Sequence, residues 1–391
     1  MFNFRQYDWK KYNFSLIGIV TILMFISCYL VKWAADSDLK AAYFKGQMTS
    51  MVFGIIIAVV VSLIDYHFIC QFVLLYYILG LILLFLTRFS PLGTDLGTTC
   101  YRWLKLGINF QPSEVCKLFL ILALAVFFTK YYEQLDRFRT LILAGLITFG
   151  LTILIMAQPD LSSSLVMVFI FVMMVFASGM SYKILAPVVI CVIPALIGII
   201  WYCQQPYQKL LKPYQYNRIF GFLHPEDVAN STMFQQNHSV QAIASGQLIG
   251  KALSDATSTV RSYFYVDGRE SDFIFSVVGE ELGFVGSSLI ICLLALVIFK
   301  CWFTACKARD YLGKMIAIGI ASMFMFQVFA NIGVACRILP NTGLPLPFLS
   351  RGLTSLLGCS IGIGIVLNIG LQTKTNVRNT FEIKDLEERG I

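Results

Sequence analysis

The chain runs to 391 residues, of which 58% are hydrophobic and only 13% charged, with a mean hydropathy of +0.75. Soluble domains carry about 45–50% apolar and about 25% charged residues. This composition therefore excludes an ordinary water-soluble enzyme and a disordered chain, and points to a protein whose solvent is mostly lipid. The net charge of +8, from 30 Lys and Arg against 22 Asp and Glu, is too dispersed for a nucleic-acid patch and reads instead as loop topology and anion binding.

Apolar runs of about 17–25 residues predict spanning helices. Ten occur, at roughly 14–32, 48–65, 68–87, 113–130, 140–157, 161–178, 184–202, 273–300, 314–336 and 352–372. The first does not read as a cleavable signal, because its run is long, no small-residue cleavage site follows and further spans come directly after. Backbone inside lipid must satisfy its hydrogen bonds internally. The expected fold is an all-α, polytopic integral membrane domain over residues 1–372, with a short tail at 373–391.

Lys and Arg in short loops orient the bundle. With the N-terminus inside, half of the thirty basic residues fall in inside segments: Arg5, Lys10, Lys11, Lys130, Arg137, Arg139, Lys183, Lys300, Lys307, Arg309, Lys314, Lys374, Arg378, Lys384 and Arg389. Both termini are then expected in the cytoplasm, with a large extracytoplasmic loop at 203–271. The segments marked by polar residues, Pro and Gly share the outer side: 88–112, 158–160, 203–271 and 337–350. No G-x-x-x-x-G-K-[ST] occurs, so no ATPase chemistry is expected.

Most of the eleven Cys, such as Cys28, Cys70, Cys191, Cys292 and Cys359, lie in apolar runs and read as small buried hydrophobes. Cys100, Cys203 and Cys336 fall in outer loops, where a bridge between two of them is an open alternative. The three His (His67, His224 and His238) have no zinc-ligand spacing, and no metal site can be read.

Four outer stretches carry unusual polarity. The first joins Arg102, Trp103 and Lys105 to Gln111-Pro112-Ser113-Glu114 and Lys117. Pro112 suits a first helical turn, and Glu114 and Lys117, three apart, face the same way. They read either as an ion pair that closes the bundle or as part of a functional path. Arg102 with Trp103 reads equally as interfacial anchoring. The second stretch is Gln158-Pro159-Asp160, where Asp160 suits an N-cap. In the third, Gly268 to Gly283, Asp272 again stands at a helix start, with capping as the plain alternative. Glu280 and Glu281 lie two turns deeper, costly for a merely structural pair. The fourth, Leu339 to Gly352, holds three Pro and predicts a rigid, non-helical re-entrant segment. Acidic groups, cations and helix N-termini at one face suit a substrate with an anionic head and an apolar tail. With no Ser-His-Asp or metal cluster, general-base chemistry is favoured over covalent catalysis.

These residues resemble the RodA/FtsW/SpoVE family, the SEDS (shape, elongation, division, sporulation) proteins. The matching pieces include Arg102-Trp103, Gln111-Pro112-Ser113-Glu114 with Lys117, Gln158-Pro159-Asp160-Leu161, Arg218-Ile219, Pro225-Glu226-Asp227, Ala242-Ile243 with Ser245-Gly246 and Gly250-Lys251. Asp272-Phe273-Ile274-Phe275 with Gly279-Glu280-Glu281 and Gly283, and Asn331-Ile332-Gly333 through Pro340, Gly343, Pro345-Leu346-Pro347 and Ser350, complete the set, in family order from about residue 10 to 372. The short N-terminal tail and the prolines of Gly343-Leu344-Pro345-Leu346-Pro347 are most similar to the RodA branch. Where family members usually carry Tyr-Gly-Gly-Ser after the Ser at 350, this chain has Arg351-Gly352-Leu353-Thr354. Their Gly-Ser-Gly-Gly patch reads Ala244-Ser245-Gly246-Gln247, their Gly-Thr after Asp-Leu is Ser162-Ser163, and a common Gln is His238.

The resemblance implies a peptidoglycan glycosyltransferase that polymerises lipid II, the undecaprenyl-pyrophosphate-linked disaccharide peptide, at the outer face of the bacterial cytoplasmic membrane for wall elongation and cell shape. By analogy Asp272 is the general base, Arg102, Lys117 and Arg218 are pyrophosphate contacts, Glu114 and Asp160 position them or line the site, and Trp103 and Ser350 join the substrate-binding set. A divalent cation, Mg or Mn, is the one cofactor such chemistry would admit. The implied partners are a class B penicillin-binding transpeptidase and membrane lipids, and no nucleic acid. A lipid II flippase and a non-catalytic scaffold of the wall-synthesis complex are the alternatives. A transporter would place its ionisable groups near the bilayer midplane and show repeated, broken helices; here they cluster at one face.

Overall fold

The computed structural model describes residues 7–94, 101–105, 109–203, 205, 222, 233–254 and 261–372. Its helices are α1 (Phe14–Ala34), α2 (Lys40–Ser62), α3 (Tyr66–Gln71), α4 (Val73–Phe89), α5 (Pro112–Lys130), α6 (Phe138–Ala157), α7 (Leu161–Ala177), α8 (Tyr182–Cys203), α9 (Phe234–Ser245), α10 (Lys251–Ser254), α11 (Ile274–Lys307), α12 (Tyr311–Ala335) and α13 (Leu353–Leu371). Among the described residues seven helices are long and apolar enough to cross a membrane, and α4, α7 and the Tyr182–Cys191 part of α8 are shorter apolar helices. Together they account for the ten expected spans. The chain is a polytopic, almost entirely helical membrane protein.

Local chemistry sets where these helices start. Asn13 caps α1 by accepting from Leu16 N at 3.1 Å, and Asp310 caps α12 by accepting from Gly313 N at 2.7 Å. Pro112 opens α5, where its missing N–H costs nothing. Two spans are interrupted: the third at Phe72, between α3 and α4, and α11 at Gly283, whose φ of 65° and ψ of −165° are not helical.

Helices α5, α12 and α13 are the most buried of the bundle. Small residues let α2 lie close along α13: a Cβ on Gly364 would stand 2.7 Å from Ala58 O and from Val61 Cβ. In lipid such close backbone approach is what holds helices together.

The segment 88–112 is not wholly loop. Gly93–Thr94, Trp103–Lys105 and Asn109–Phe110 form a small antiparallel sheet of strands β1, β2 and β3, pairing Gly93 with Leu104 and Leu104 with Phe110. The expected long loop at 203–271 likewise contains a helix, α9. Its buried face is Gln236, Ser239 and Ala242, and it serves the end of α12: Gln236 Nε2 donates to Val334 O (3.0 Å) and Leu339 O (2.8 Å), and Ser239 Oγ to Ala335 O (2.8 Å). The last carbonyls of a helix have no partner within it, so polar residues on α9 satisfy them.

Cys336, at the C-cap of α12, is a free thiol. Cys100 and the Cys203 side chain lie outside the described residues, as does the 373–391 tail.

At the opposite end of the bundle sits a second buried polar cluster. His67 Nδ1 stands 2.9 Å from Asp65 Oδ1 and its Nε2 2.6 Å from Asp310 Oδ2. Gln372 and Tyr66 add bonds to Asp65 and Asp310, at 3.0 and 2.8 Å. Burial alone would lower the His67 pKa, but the two carboxylates outweigh it and push it up to about 9. For Asp65 burial works upward, and the bonds from His67 and Gln372 win, drawing it down to about 2.

Candidate functional site

The site is built around the segment between α12 and α13. From Arg337 to Gly352 the backbone is non-helical, yet Leu344, Leu346, Phe348 and Leu349 are buried. Irregular backbone at such depth must find hydrogen-bond partners elsewhere in the protein, and it does. Ile338 N and Leu339 N bond Gly333 O. Ser162 Oγ, near the start of α7, donates to Thr342 O. Ser27 Oγ of α1 donates to Leu349 O at 2.6 Å, and Gln47 of α2 donates to Ser27 at 2.8 Å and to Ser350 O at 3.5 Å. The expected rigid, buried, non-helical stretch is present. Ser27 and Gln47, polar residues inside apolar helices, were its unread signals.

Asp272 lies across this segment. The N-cap of α11 is Phe273, with no side-chain cap bond, so Asp272 is not the N-cap that its position before the helix suggested. It is half-buried. Its carboxylate faces the 341–344 turn, where a Cβ on Gly343 would stand 3.1 Å from Asp272 Oδ2. Gly343 has φ of 71°, a conformation that suits glycine. Both features favour glycine: a side chain there would be strained at that φ and would press on the Asp272 carboxylate.

The backbone leading into Asp272 is gripped from α12 and the segment that follows it. Arg351 N donates to Glu270 O at 2.7 Å. Ser350 Oγ donates to Ser271 O at 2.5 Å and accepts from Leu346 N at 2.7 Å. Asn331 Nδ2 donates to Asp272 O and to Leu344 O, both at 2.7 Å. Ser350 thus spends its hydroxyl proton on protein. Arg351, the departure from the family pattern, lies 3.7 Å from the centre of the Tyr43 ring and 3.8 Å from Glu270 Oε1.

Glu280 and Glu281 serve differently. Glu280 accepts from Ser262 N (2.8 Å), Tyr263 N (2.9 Å) and Lys251 Nζ. Glu281 accepts from Arg261 Nε (2.8 Å) and from the Tyr263 hydroxyl (2.7 Å). Burial and the Glu281 carboxylate hold the Tyr263 phenol well above its usual pKa. Burial would lower that of Arg261, but the Glu281 partner keeps it raised. The pair clips Lys251 and residues 261–263 to α11, the structural use that its depth had argued against. Backbone packs on backbone beside it: Gly250 and Gly283, with φ of 78° and 65°, approach so closely that a Cβ on Gly250 would strike Glu281 O and one on Gly283 would strike Gly250 N.

The remaining predicted residues have other partners. Asp160 caps α7, its carboxylate accepting from Ser163 N (3.2 Å) and Ser163 Oγ (2.7 Å), which bears out the capping alternative. Arg102 Nη2 donates to Pro159 O at 2.7 Å and so ties the sheet to the α6–α7 turn, with Trp103 following it in β2. Lys117 Nζ and Glu114 Oε1 stand 2.8 Å apart and are buried, Lys117 completely. Their start of α5 reaches α13 through Gln111 N and Asn109 O, 3.5 and 3.4 Å from Thr354 Oγ1. Arg218, with Pro225, Glu226 and Asp227, lies outside the described residues. No group of three or more His, Cys, Asp or Glu among the described residues could hold a metal ion. The adjacent carboxylates of Glu280 and Glu281 are already committed to fixed donors. Among the described residues the donor set does not fit a protein-held Mg or Mn.

Comparison with known proteins bears on the family and the fold. The sequence model of the FtsW/RodA/SpoVE family, described as cell cycle proteins, matches residues 9–375. A relative from Trichlorobacter lovleyi, described as a probable peptidoglycan glycosyltransferase FtsW, is 30% identical over 383 residues, covering 95% of this chain and 96% of its own. A chain from a solved structure concerned with coordination of polymerization and crosslinking by a peptidoglycan synthase complex aligns with a TM-score of 0.72 at 25% identity, covering 93% of this chain and 97% of that one. The Thermus thermophilus rod shape determining protein RodA, as a mutant, aligns with a TM-score of 0.65 at 25% identity, covering 95% and 99%.

Proposed function

Because the chain belongs to the FtsW/RodA/SpoVE family of cell cycle proteins, we propose that it is a peptidoglycan glycosyltransferase that polymerises lipid II into glycan strands. The observation that carries this reading is Asp272: a half-buried carboxylate that is not the N-cap of α11, set against a glycine turn and backed by a tethered main chain. Asp272 takes the proton of the acceptor 4-hydroxyl as its oxygen attacks the anomeric carbon of the donor. The bond from that carbon to the pyrophosphate breaks, and polyprenyl pyrophosphate leaves with the electron pair. One displacement inverts the configuration, so no enzyme nucleophile is needed. A pyrophosphate leaving group needs charge neutralisation more than a proton.

Arg102 and Arg218 are the candidate cations for that task, with Trp103 next to Arg102 in the chain. Lys117 is fully buried and paired with Glu114, which favours a supporting role behind the site over direct phosphate contact. Asp160 supports the site by capping α7. No step is routed through a metal ion.

The working orientation has both termini in the cytoplasm of a bacterium and the Asp272 end at the outer face of the inner membrane, where lipid II is consumed. The proline-rich 343–347 turn favours the elongation branch, and the solved synthase complex supports a class B penicillin-binding transpeptidase as partner. The test is strand synthesis from labelled lipid II by purified protein, with and without such a transpeptidase. The parent should make strands. Asp272→Asn should lose about 100- to 10,000-fold, the usual contribution of a general base. A variant that polymerises at the parent rate would exclude Asp272 from this role.

A further inference from the structure

Asn331 lies on α12, buried to 1% exposure, beside a reaction centre carried by another helix start. One amide nitrogen reaches two backbone carbonyls, Asp272 O and Leu344 O, each at 2.7 Å. This fixes the amide orientation, because a flipped amide would set oxygen against two oxygens. The opposite atom, Oδ1, is buried and has no hydrogen-bond partner. A buried polar atom without a partner is costly, and an apolar side chain of similar size would fill the space without that cost.

The two carbonyls are not equivalent neighbours. One belongs to the proposed base. The other belongs to the residue after Gly343, whose Cα faces the base's carboxylate. Asn331 therefore sets the spacing between Asp272 and the turn that its carboxylate faces. Ser350 Oγ and Arg351 N hold the two preceding carbonyls, Ser271 O and Glu270 O, but each of these donors touches the base's strand at one carbonyl only and does not reach the Gly343 turn.

From this geometry we infer that Asn331 is a positioning residue for the Asp272 carboxylate, acting by bridging the Asp272 and Leu344 carbonyls. The inference rests on the reading of Asp272 as the base. It does not make Asn331 a catalytic residue, since it touches the main chain and not the reacting atoms. Misplacing a reacting group by about 1 Å costs on the order of 100-fold in rate, and that is the size of effect expected.

The experiment is a double-mutant cycle on lipid II polymerisation by the purified full chain with its transpeptidase, using Asn331→Ala, Asp272→Asn and the pair. Asn331→Ala should lower kcat about 100-fold per folded molecule while KM for lipid II moves by less than about threefold, since substrate contacts are untouched. Added to Asp272→Asn it should lower the rate no further, because a residue that acts through another has nothing left to position. If Asn331→Ala does not fold, Asn331→Asp keeps the volume, removes both N–H donors and carries the same expectation. An Asn331 variant that folds and polymerises at the parent rate, or whose loss multiplies with that of Asp272→Asn, overturns the inference and leaves the base assignment standing. Asp272→Asn at the parent rate overturns the base assignment itself.

Discussion

Asp272 and the Glu280–Glu281 pair lie about two helical turns apart at one end of the bundle, and the fold treats them in opposite ways. At Glu280 and Glu281 the side chains do the holding: backbone N–H groups, a lysine, an arginine and a tyrosine converge on the two carboxylates, and Lys251 and residues 261–263 are pinned by them. At Asp272 the main chain is held by Asn331 and, one residue earlier, by Ser350, and the half-buried carboxylate is set against a glycine. Buried ionisable groups in a membrane protein are not all functional. Those surrounded by fixed donors stabilise a shape, and chemistry is better sought where a carboxylate is aimed by a held backbone.

The Glu114–Lys117 pair extends the first category and should give the largest stability effect. Lys117→Met leaves a buried carboxylate uncompensated, which costs about 3–5 kcal/mol, read as a fall in thermal midpoint in detergent. Replacing both residues with apolar groups should recover most of the loss. If Lys117→Met is neutral, the pair is solvated and the contrast fails on that side.

The cluster at the far end makes a pH-dependent version of the same claim. The folded pKa of His67, about 9, lies above its ordinary value of 6.5, so its contribution is complete below pH 6.5 and is lost as pH rises through 9. It amounts to about 3 kcal/mol at most. Asp65, drawn down to about 2 from 3.8, contributes above pH 3.8 and loses that contribution as pH falls through 2. Thermal midpoints between pH 6 and 9.5 should fall for the parent and stay flatter for His67→Gln. Equal slopes would show that the His67 cluster does not stabilise the fold in this way.

Glu281→Gln should cost about 2 kcal/mol, because a charge-assisted bond weakens and buried donors lose their full partner, and Tyr263→Phe should cost less. The smallest effect is a gain. Gln247 has φ of 49°, and its carbonyl accepts from Phe284 N just past the Gly283 break. Gln247→Gly should stabilise by about 1 kcal/mol by relieving the left-handed conformation. Destabilisation would mean that the Gln247 side chain has a role beyond this geometry.

Much of this was legible in the sequence, for identifiable reasons. Ten apolar runs read as ten helices because lipid demands length and apolarity together. The turn at 337–352 announced itself through its prolines and glycines. The strands at 93–110 carried no signal, since two- and three-residue strands have no period to detect. Helix α9 was hidden because its buried face is Gln236, Ser239 and Ala242, chosen to satisfy carbonyls of α12 and not to bury apolar surface. His67 and Asp310 are distant in the chain, so nothing local could pair them. Glu280 and Glu281 were misread because depth was taken as a sign of function, while the donors that commit them arrive from a segment read as loop.

The contrast between the two kinds of carboxylate is tested most directly by one paired measurement. Asp272→Asn and Glu280→Gln are compared for thermal midpoint and for strand synthesis from lipid II per folded molecule. Asp272→Asn is expected to keep the parent's midpoint and lose at least about 100-fold in rate, whereas Glu280→Gln loses midpoint and keeps a rate per folded molecule within about threefold of the parent. The reverse pattern, with Glu280→Gln inactive though folded and Asp272→Asn active, would contradict this contrast.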